Sequence, residues 1–440
     1  MKILCVDVGT GTQDILLHDT NLHPENGFKL VVPSPTMIVR RRLQAATRAG
    51  RPVLLTGVTM GGGPSHWAAE DHLKAGHKLY ATPAAARSFN DDLNYLQTEG
   101  IQVVSEDEAR KLPDNVLRLT LRDFDFDAIC HAFAEFGVSL NDLAAVAVAV
   151  FDHGNAPPDV SDRKFRFEYI ARRVQANRQL STFAFAAEDI PPIMTRMQAV
   201  AASAGNVDAP LLLMDTAPAA VAGALLDSNV SAGSPLLVAN LGNLHTLAFR
   251  LGPEGIEGTF EHHTGMLDQA KLERLLRSLA AGTLRDEDVY QDHGHGALIL
   301  EERPFFLPED LSKADKLSAL PCKADKLSAL PFAGDGFGVT LTGPRRRMLA
   351  GSSLRPYFAS PFGDMMMAGC FGLLTAVAAK FPQFADPIQA SLAGKRGGLP
   401  GNCNVNIPVR TPRGAGKRSA VFQTAKSRQD VGAPIFRRYV

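Results

Sequence analysis

Hydrophobic positions in this chain gather into short apolar runs closed by acids and glycines, and between them lie stretches of helical periodicity. Residues 3–6 (Ile-Leu-Cys-Val) form the first run, which ends on Asp7-Val8-Gly9-Thr10-Gly11-Thr12. That pattern predicts a buried strand followed by a tight turn. Residues 28–32 and 52–56 read as strands, separated by a basic helical stretch at 40–48, and 78–82 and 101–104 as further short strands. Their alternation predicts an α/β insertion over about residues 40–115. Residues 143–151 (Leu-Ala-Ala-Val-Ala-Val-Ala-Val-Phe) predict a fully buried strand, closed by Asp152-His153-Gly154-Asn155. Helices are expected at 165–174 and 193–202, then a buried strand at 210–214 that ends on Asp215-Thr216 and runs into a helix at 217–226.

A polar, Gly-containing stretch at 228–234 reads as an interdomain hinge. Beyond it the opening pattern recurs: a strand at 236–238, the turn Asn240-Leu241-Gly242-Asn243-Leu244-His245-Thr246, and a strand at 247–251. A helix is expected at 267–280, a strand at 339–341 ending on Thr342-Gly343-Pro344, and a helix at 364–379 with Ala368, Gly369 and Gly372 on its close-packing side. Between residues 313 and 332 a decapeptide occurs twice in tandem, far below solenoid length, and reads as a local surface expansion. These signals divide the chain into domains at 1–228 and 232–382 and a tail at 383–440.

Composition narrows the class. The 440 residues carry a net charge of +0, 45% hydrophobic and 21% charged residues, and no apolar run long enough to span a membrane. A soluble, cytoplasmic protein without a membrane partner is expected, and nucleic acid is not an expected partner of the chain as a whole. Residues 391–440 hold ten basic side chains against Asp430 alone, so the balance is lopsided. Rich in Gly, Pro and Arg, the tail reads as disordered, with a binding arm as the alternative. Five cysteines (Cys5, Cys130, Cys322, Cys370, Cys403) show no C-x-x-C or C-x-x-x-C-x-x-C spacing. That argues against a structural zinc site, a disulfide framework and an iron–sulfur cluster held within this chain.

Small residues at Gly9 to Thr12 let backbone N–H groups approach an anion, the hydroxyls add donors, and Asp7 at the strand end suits a hydrated Mg²⁺. An ordinary β-hairpin turn is the alternative. Gly61-Gly62-Gly63-Pro64-Ser65 leads into a helix with Ser65 as N-cap candidate, and reads either as a flexible turn or as an anion loop. Asp152 and Asp215 each close an inner strand, and Asp215 suits the N-cap of the helix that follows. His153, His245, His262, His263, His293 and His295 lie near predicted turns, and read as polar loop residues or as ligands of a transition metal.

Five of these segments, in this order, resemble the sugar kinase, Hsp70 and actin superfamily over most of residues 1–380. Residues 7–14 resemble its first phosphate loop, 215–226 its first connecting helix, 240–246 its second phosphate loop, 340–351 its adenosine segment and 363–377 its second connecting helix. More narrowly, Asp-Val-Gly-Thr-Gly-Thr-Gln-Asp, Phe-Asp-His-Gly, Asn-Leu-Gly-Asn-Leu-His-Thr and Glu-His-His-Thr-Gly resemble an uncharacterised prokaryotic branch labelled as pyruvate formate-lyase activating enzymes. A radical activase of the usual kind needs a three-cysteine cluster motif, which this chain lacks.

The resemblance implies an actin-like ATPase fold of two ribonuclease-H-like domains, with ATP and Mg²⁺ in the cleft between them. It assigns the metal to Asp7, and the phosphates to Gly9, Thr10, Gly11 and Thr12 on one side. Asn240, Gly242, Asn243 and Thr246 fall on the other side, and Gly343 beside the adenosine. Asn240 stands where an acid is usual, so metal binding would lean on Asp7. The resemblance implies two catalytic candidates, Asp215 as general base for an acceptor hydroxyl, with a purely capping role as the alternative, and Asp152 as the residue that orients water. The implied activity is phosphoryl transfer to a small molecule or ATP hydrolysis; the alternative is an ATP-driven regulator acting on a partner protein.

Overall fold

The computed structural model describes residues 1–158, 160–230, 236–304, 307 and 337–394. The tandem decapeptide, part of the 228–234 hinge stretch and the basic segment from 395 onward lie outside these residues.

Three mixed or parallel sheets organise the described chain. The first contains β1 (Lys2–Val8), β2 (Thr12–Asp19), β3 (Phe28–Pro33), β8 (Leu143–Val150), β9 (Ala184–Ala186) and β10 (Leu211–Asp215), in the order β3-β2-β1-β8-β10-β9. β1, β2 and β3 form an antiparallel meander, while β8 and β10 run parallel to β1. The second contains β11 (Leu236–Leu241), β12 (His245–Gly252), β13 (Gly255–His263), β14 (Gly296–Ile299), β15 (Val339–Thr342) and β16 (Pro356–Phe358). Its order, β14-β13-β12-β11-β15-β16, repeats the plan: a meander, then two strands parallel to the first. The third is all parallel, β6 (Ile101–Val103), β5 (Leu79–Ala81), β4 (Val53–Gly57) and β7 (Leu117–Leu121), and sits in the chain between β3 and β8. The α/β insertion expected there therefore runs to β7, past residue 115.

The alternation in β8 explains the centre of the molecule. Ala145, Ala147 and Ala149 face one way and Val146, Val148 and Val150 the other, all fully buried. The alanine face, with Ile3 and Cys5 of β1, shares a single core with α2 (Thr216–Ala224) and α3 (Ala368–Lys380), and with Leu236, Val238 and Phe249 of the second sheet. Small side chains on the sheet let two largely apolar helices lie against it. α2 is buried from Ala217 to Ala224, and α3 from Ala368 to Ala378. Such helices draw their stability from packing; each fully buried side chain such as Phe371 or Leu373 contributes about 1.5–3 kcal/mol. Where α2 and α3 cross, Gly223 and Gly372 are required. A Cβ on Gly223 would stand 1.7 Å from the Ala368 carbonyl oxygen, and one on Gly372 1.8 Å from that of Ala219.

Four differences from the sequence expectations have physical causes. The helix after Gly61–Gly63 starts at Pro64, with Gly63 as N-cap; Ser65 lies inside it, fully buried, its N–H donating to the Thr36 hydroxyl. Proline suits the first helical position, so the cap falls on Gly63, two residues before Ser65. Residues 385–392, assigned to the tail, form α4 (Ala385–Leu392), because Ile388 and Leu392 share a face that packs into the α3 core. β13 and β14 were not expected. Glu261-His262-His263, taken as a loop, is the end of β13, a strand that buries Glu257, Thr259, Glu261 and His262 and so shows no apolar run. No helix of the described residues is long and apolar enough to cross a membrane.

Candidate functional site

The first hairpin of each of the two larger sheets ends in the same way. β1 and β2 pair as far as Val8 and Gln13, leaving the loop Gly9–Thr12, in which the Gly9 N–H donates to the Thr12 carbonyl at 2.9 Å. β11 and β12 pair as far as Leu241 and Thr246, leaving Gly242–His245, in which the Gly242 N–H donates to the His245 carbonyl, also at 2.9 Å. Asp7 and Asn240 occupy matching positions, two residues before the loop. The two loops face each other: a Cβ on Gly11 would lie 3.3 Å from Asn243 Nδ2.

Between them opens a cavity of about 1580 Å³. Of the residues expected to bind, Asp7, Gly9, Thr10, Gly11, Thr12, Asn240, Gly242, Asn243 and Gly343 line it, as does Asp152. Gly343 has φ 92°, and a Cβ there would meet Asn240 Oδ1 at 2.5 Å, so no side chain fits. Thr246 and Asp215 lie off the wall. Thr246 is fully buried behind its hairpin, its hydroxyl 2.9 Å from that of Thr264.

Asp7 and Asp14 are cross-strand partners at the cavity floor. Burial pushes Asp7 up to about 6, against a 2.5 Å hydrogen bond from the Thr216 hydroxyl that favours its charged form. Burial, followed by the nearby Asp7 charge, pushes Asp14 up to about 8, and its Oδ1 is buried without a hydrogen-bond partner. Two acids held in this way, one with an orphaned oxygen, suit a hard divalent cation. Gly369 of α3 sits directly against Asp7; a Cβ there would be 1.9 Å from Oδ2.

The turn after β8 supplies another wall. Asp152 is buried, which raises its pKa, and both its oxygens accept backbone N–H groups, from Gly154 at 2.9 Å and from Met197 at 2.8 Å. Arginines clamp this turn through its carbonyls: Arg196 Nη1 to Phe151 and Arg166 Nη1 to Asp152, each at 2.6 Å. Arg196 also forks onto Asp123, which accepts the Gly61 N–H, so the Gly61–Gly63 loop becomes a third side of the cavity.

Asp215 caps α2 through the Ala217 N–H at 3.3 Å, and its Oδ2 lies 2.8 Å from Arg166 Nη1. Arg166, on α1 (Asp162–Ala176), makes a two-pronged bond to Glu261 at 2.8 and 2.9 Å, all within the interior. Of the histidines singled out in the sequence, His153 and His245 line the cavity, and His263 and His295 adjoin His245. His262 turns away toward Asp292, at 3.6 Å. Sequence reasoning missed Arg166, its pairing with Glu261 and the pairing of Asp14 with Asp7. Asp14 was signalled as the last residue of the glycine-rich motif and Glu261 as the first of Glu-His-His-Thr-Gly; an ion pair 95 residues apart leaves no local pattern.

The chain belongs to the family described as "Putative pyruvate format-lyase activating enzyme (DUF1786)", whose sequence model matches residues 60–308. No curated protein matches it. Among solved structures it is similar to the activator of the 2-hydroxyisocaproyl-CoA dehydratase from Clostridium difficile, a structure with bound ADPNP. Identity is 9%, coverage 88% of this chain and 98% of that one, and the TM-score 0.30. It is also similar to an exopolyphosphatase-like protein, at 10% identity over 90% and 92% of the two chains with a TM-score of 0.23.

Proposed function

We propose that the cavity binds a magnesium nucleoside triphosphate between two ribonuclease-H-like domains of an actin-like ATPase fold. The carrying observation is the repeated hairpin: two sheets that share an antiparallel meander followed by parallel strands present similar glycine-opened loops to each other across a cleft. In this reading Asp7, supported by Asp14, holds the metal, and Gly9 to Thr12 offer backbone N–H groups and hydroxyls to the phosphates. Gly242 and Asn243 complete the clamp from the facing loop, and Gly343 leaves room for the nucleoside. A bound magnesium nucleotide would supply a transferable phosphoryl group. The domains would be 1–228 and 232–382, and the crossing of α2 and α3 would carry relative motion of the halves.

One observation favours nucleotide-driven action on a protein partner over a small-molecule kinase. Asp215, the residue best suited by sequence to deprotonate an acceptor hydroxyl, directs its carboxylate to Arg166 and to the α2 N-terminus instead of the cavity. Asp152 stays on the wall as the candidate for orienting water. ATP hydrolysis measured alone, with a metabolite panel and with co-purifying proteins separates the two. Stimulation by a protein and by no metabolite is expected; phosphorylation of a metabolite, lost in Asp215→Asn, would overturn the preference.

A further inference from the structure

Three histidines from neighbouring strands converge at the cleft end of the second sheet. His245 opens β12 and is the direct cross-strand partner of His263, the last residue of β13. His295 precedes β14, and its N–H donates to the Glu261 carbonyl at 2.9 Å, which brings it alongside the same pair. A tight turn aims it, with His293 at φ 65°. One nitrogen from each of the three rings falls within 4.8 Å of the others. We propose that His245, His263 and His295 bind a divalent first-row transition metal, with an open coordination position toward the cleft.

Chemistry and surroundings agree on such an ion. Three neutral imidazoles suit zinc and its neighbours, and three protein ligands leave one position for water or an oxygen ligand, as in catalytic zinc sites. His245 Nε2 and His295 Nε2 are buried without a hydrogen-bond partner, which is costly unless something binds them. Around the rings, Glu261 Oε2 comes within 3.3 Å of His295 Nδ1, and Phe151 stacks on His245 at 4.1 Å while carrying the Arg166 guanidinium 3.8 Å from its centroid. Arg166 with Glu261 and Asp215 has a formal charge of −1, which complements a dication. Metal–nitrogen bonds of about 2.0–2.1 Å require the rings to draw together on binding.

The site does not depend on the nucleotide reading, and its test omits nucleotide. Full-length protein stripped with EDTA is titrated with Zn²⁺ by calorimetry, and separately with Co²⁺ followed by visible absorption. One equivalent is expected to bind tightly, and the Co²⁺ bands should have the intensity of a four- or five-coordinate ion. His263→Gln and His245→Gln should each weaken Zn²⁺ binding at least about tenfold, with exposed His23→Gln unchanged. Co²⁺ bands no stronger than those of the hydrated ion would overturn the proposal. So would Zn²⁺ affinity equal in wild type and both cluster variants. Should a variant misfold, the wild-type Co²⁺ spectrum decides.

Discussion

Gly372→Ala puts the α2–α3 crossing to a test of sign. In an exposed helix interior, alanine is about 1 kcal/mol better than glycine, so propensity alone predicts a more stable protein. At this crossing the new Cβ would stand 1.8 Å from the Ala219 carbonyl oxygen, 2.7 Å from its carbonyl carbon and 2.9 Å from the Gly223 nitrogen. All three are backbone atoms, so no side chain can move aside. Ordinary carbon–oxygen contact needs roughly 3.5 Å, so the helices must part by well over 1 Å along buried faces. Overpacking of this kind typically costs about 1–3 kcal/mol. Three backbone contacts this close put the cost at the upper end of that range, so net of propensity a loss of about 2 kcal/mol is expected. Urea denaturation followed by circular dichroism reads it as a lowered midpoint. A midpoint equal to or above that of the wild type would refute the crossing as described.

Gly369→Ala, three residues earlier on α3, should act on the site instead of the fold. Its Cβ would stand 1.9 Å from Asp7 Oδ2, displacing the carboxylate, so Mg²⁺-dependent nucleotide affinity should fall at least about tenfold with the melting temperature little changed; unaltered affinity would count against Asp7 as the metal residue. His18 predicts a pH dependence. Burial, opposed in part by Asp19, lowers its pKa to about 4 from 6.5, so the unfolded chain binds its proton more readily. Its contribution is present above about pH 6.5 and is lost as pH falls toward 4, by about 3 kcal/mol in all. Comparing His18→Gln with wild type at pH 7 and pH 4.5 by urea denaturation should show the variant losing less stability on acidification. Equal losses would mean that His18 is not held neutral by its burial against Ser391.

Apolar runs closed by turn residues were legible throughout. β1, β8, β10 and β11 were visible because strands buried on both faces read as continuous hydrophobic runs. The glycine turns marked both facing loops for the same reason that they fit there. What the sequence hid is carried by buried polar groups. β13 reads as irregular because Glu257, Thr259, Glu261 and His262 are buried, and Arg250 of the neighbouring strand β12 and Arg166, 95 residues away, satisfy the two acids. The three-histidine cluster was hidden likewise: His263 and His295 lie 32 positions apart, and only the β13–β14 register brings them side by side. The competing roles weighed for Asp215 could not be separated without Arg166, which faces it from another helix.

The central claim is that the two hairpin loops clamp a magnesium nucleotide. Calorimetric titration of the full-length protein with ADPNP, with and without Mg²⁺, tests it most directly, with Asp7→Asn alongside. The account predicts one site per chain, dependent on Mg²⁺ and weakened at least about tenfold by Asp7→Asn, the expected loss of about 1.4 kcal/mol or more from one metal contact. Absence of binding, or binding indifferent to both Mg²⁺ and Asp7, would contradict it.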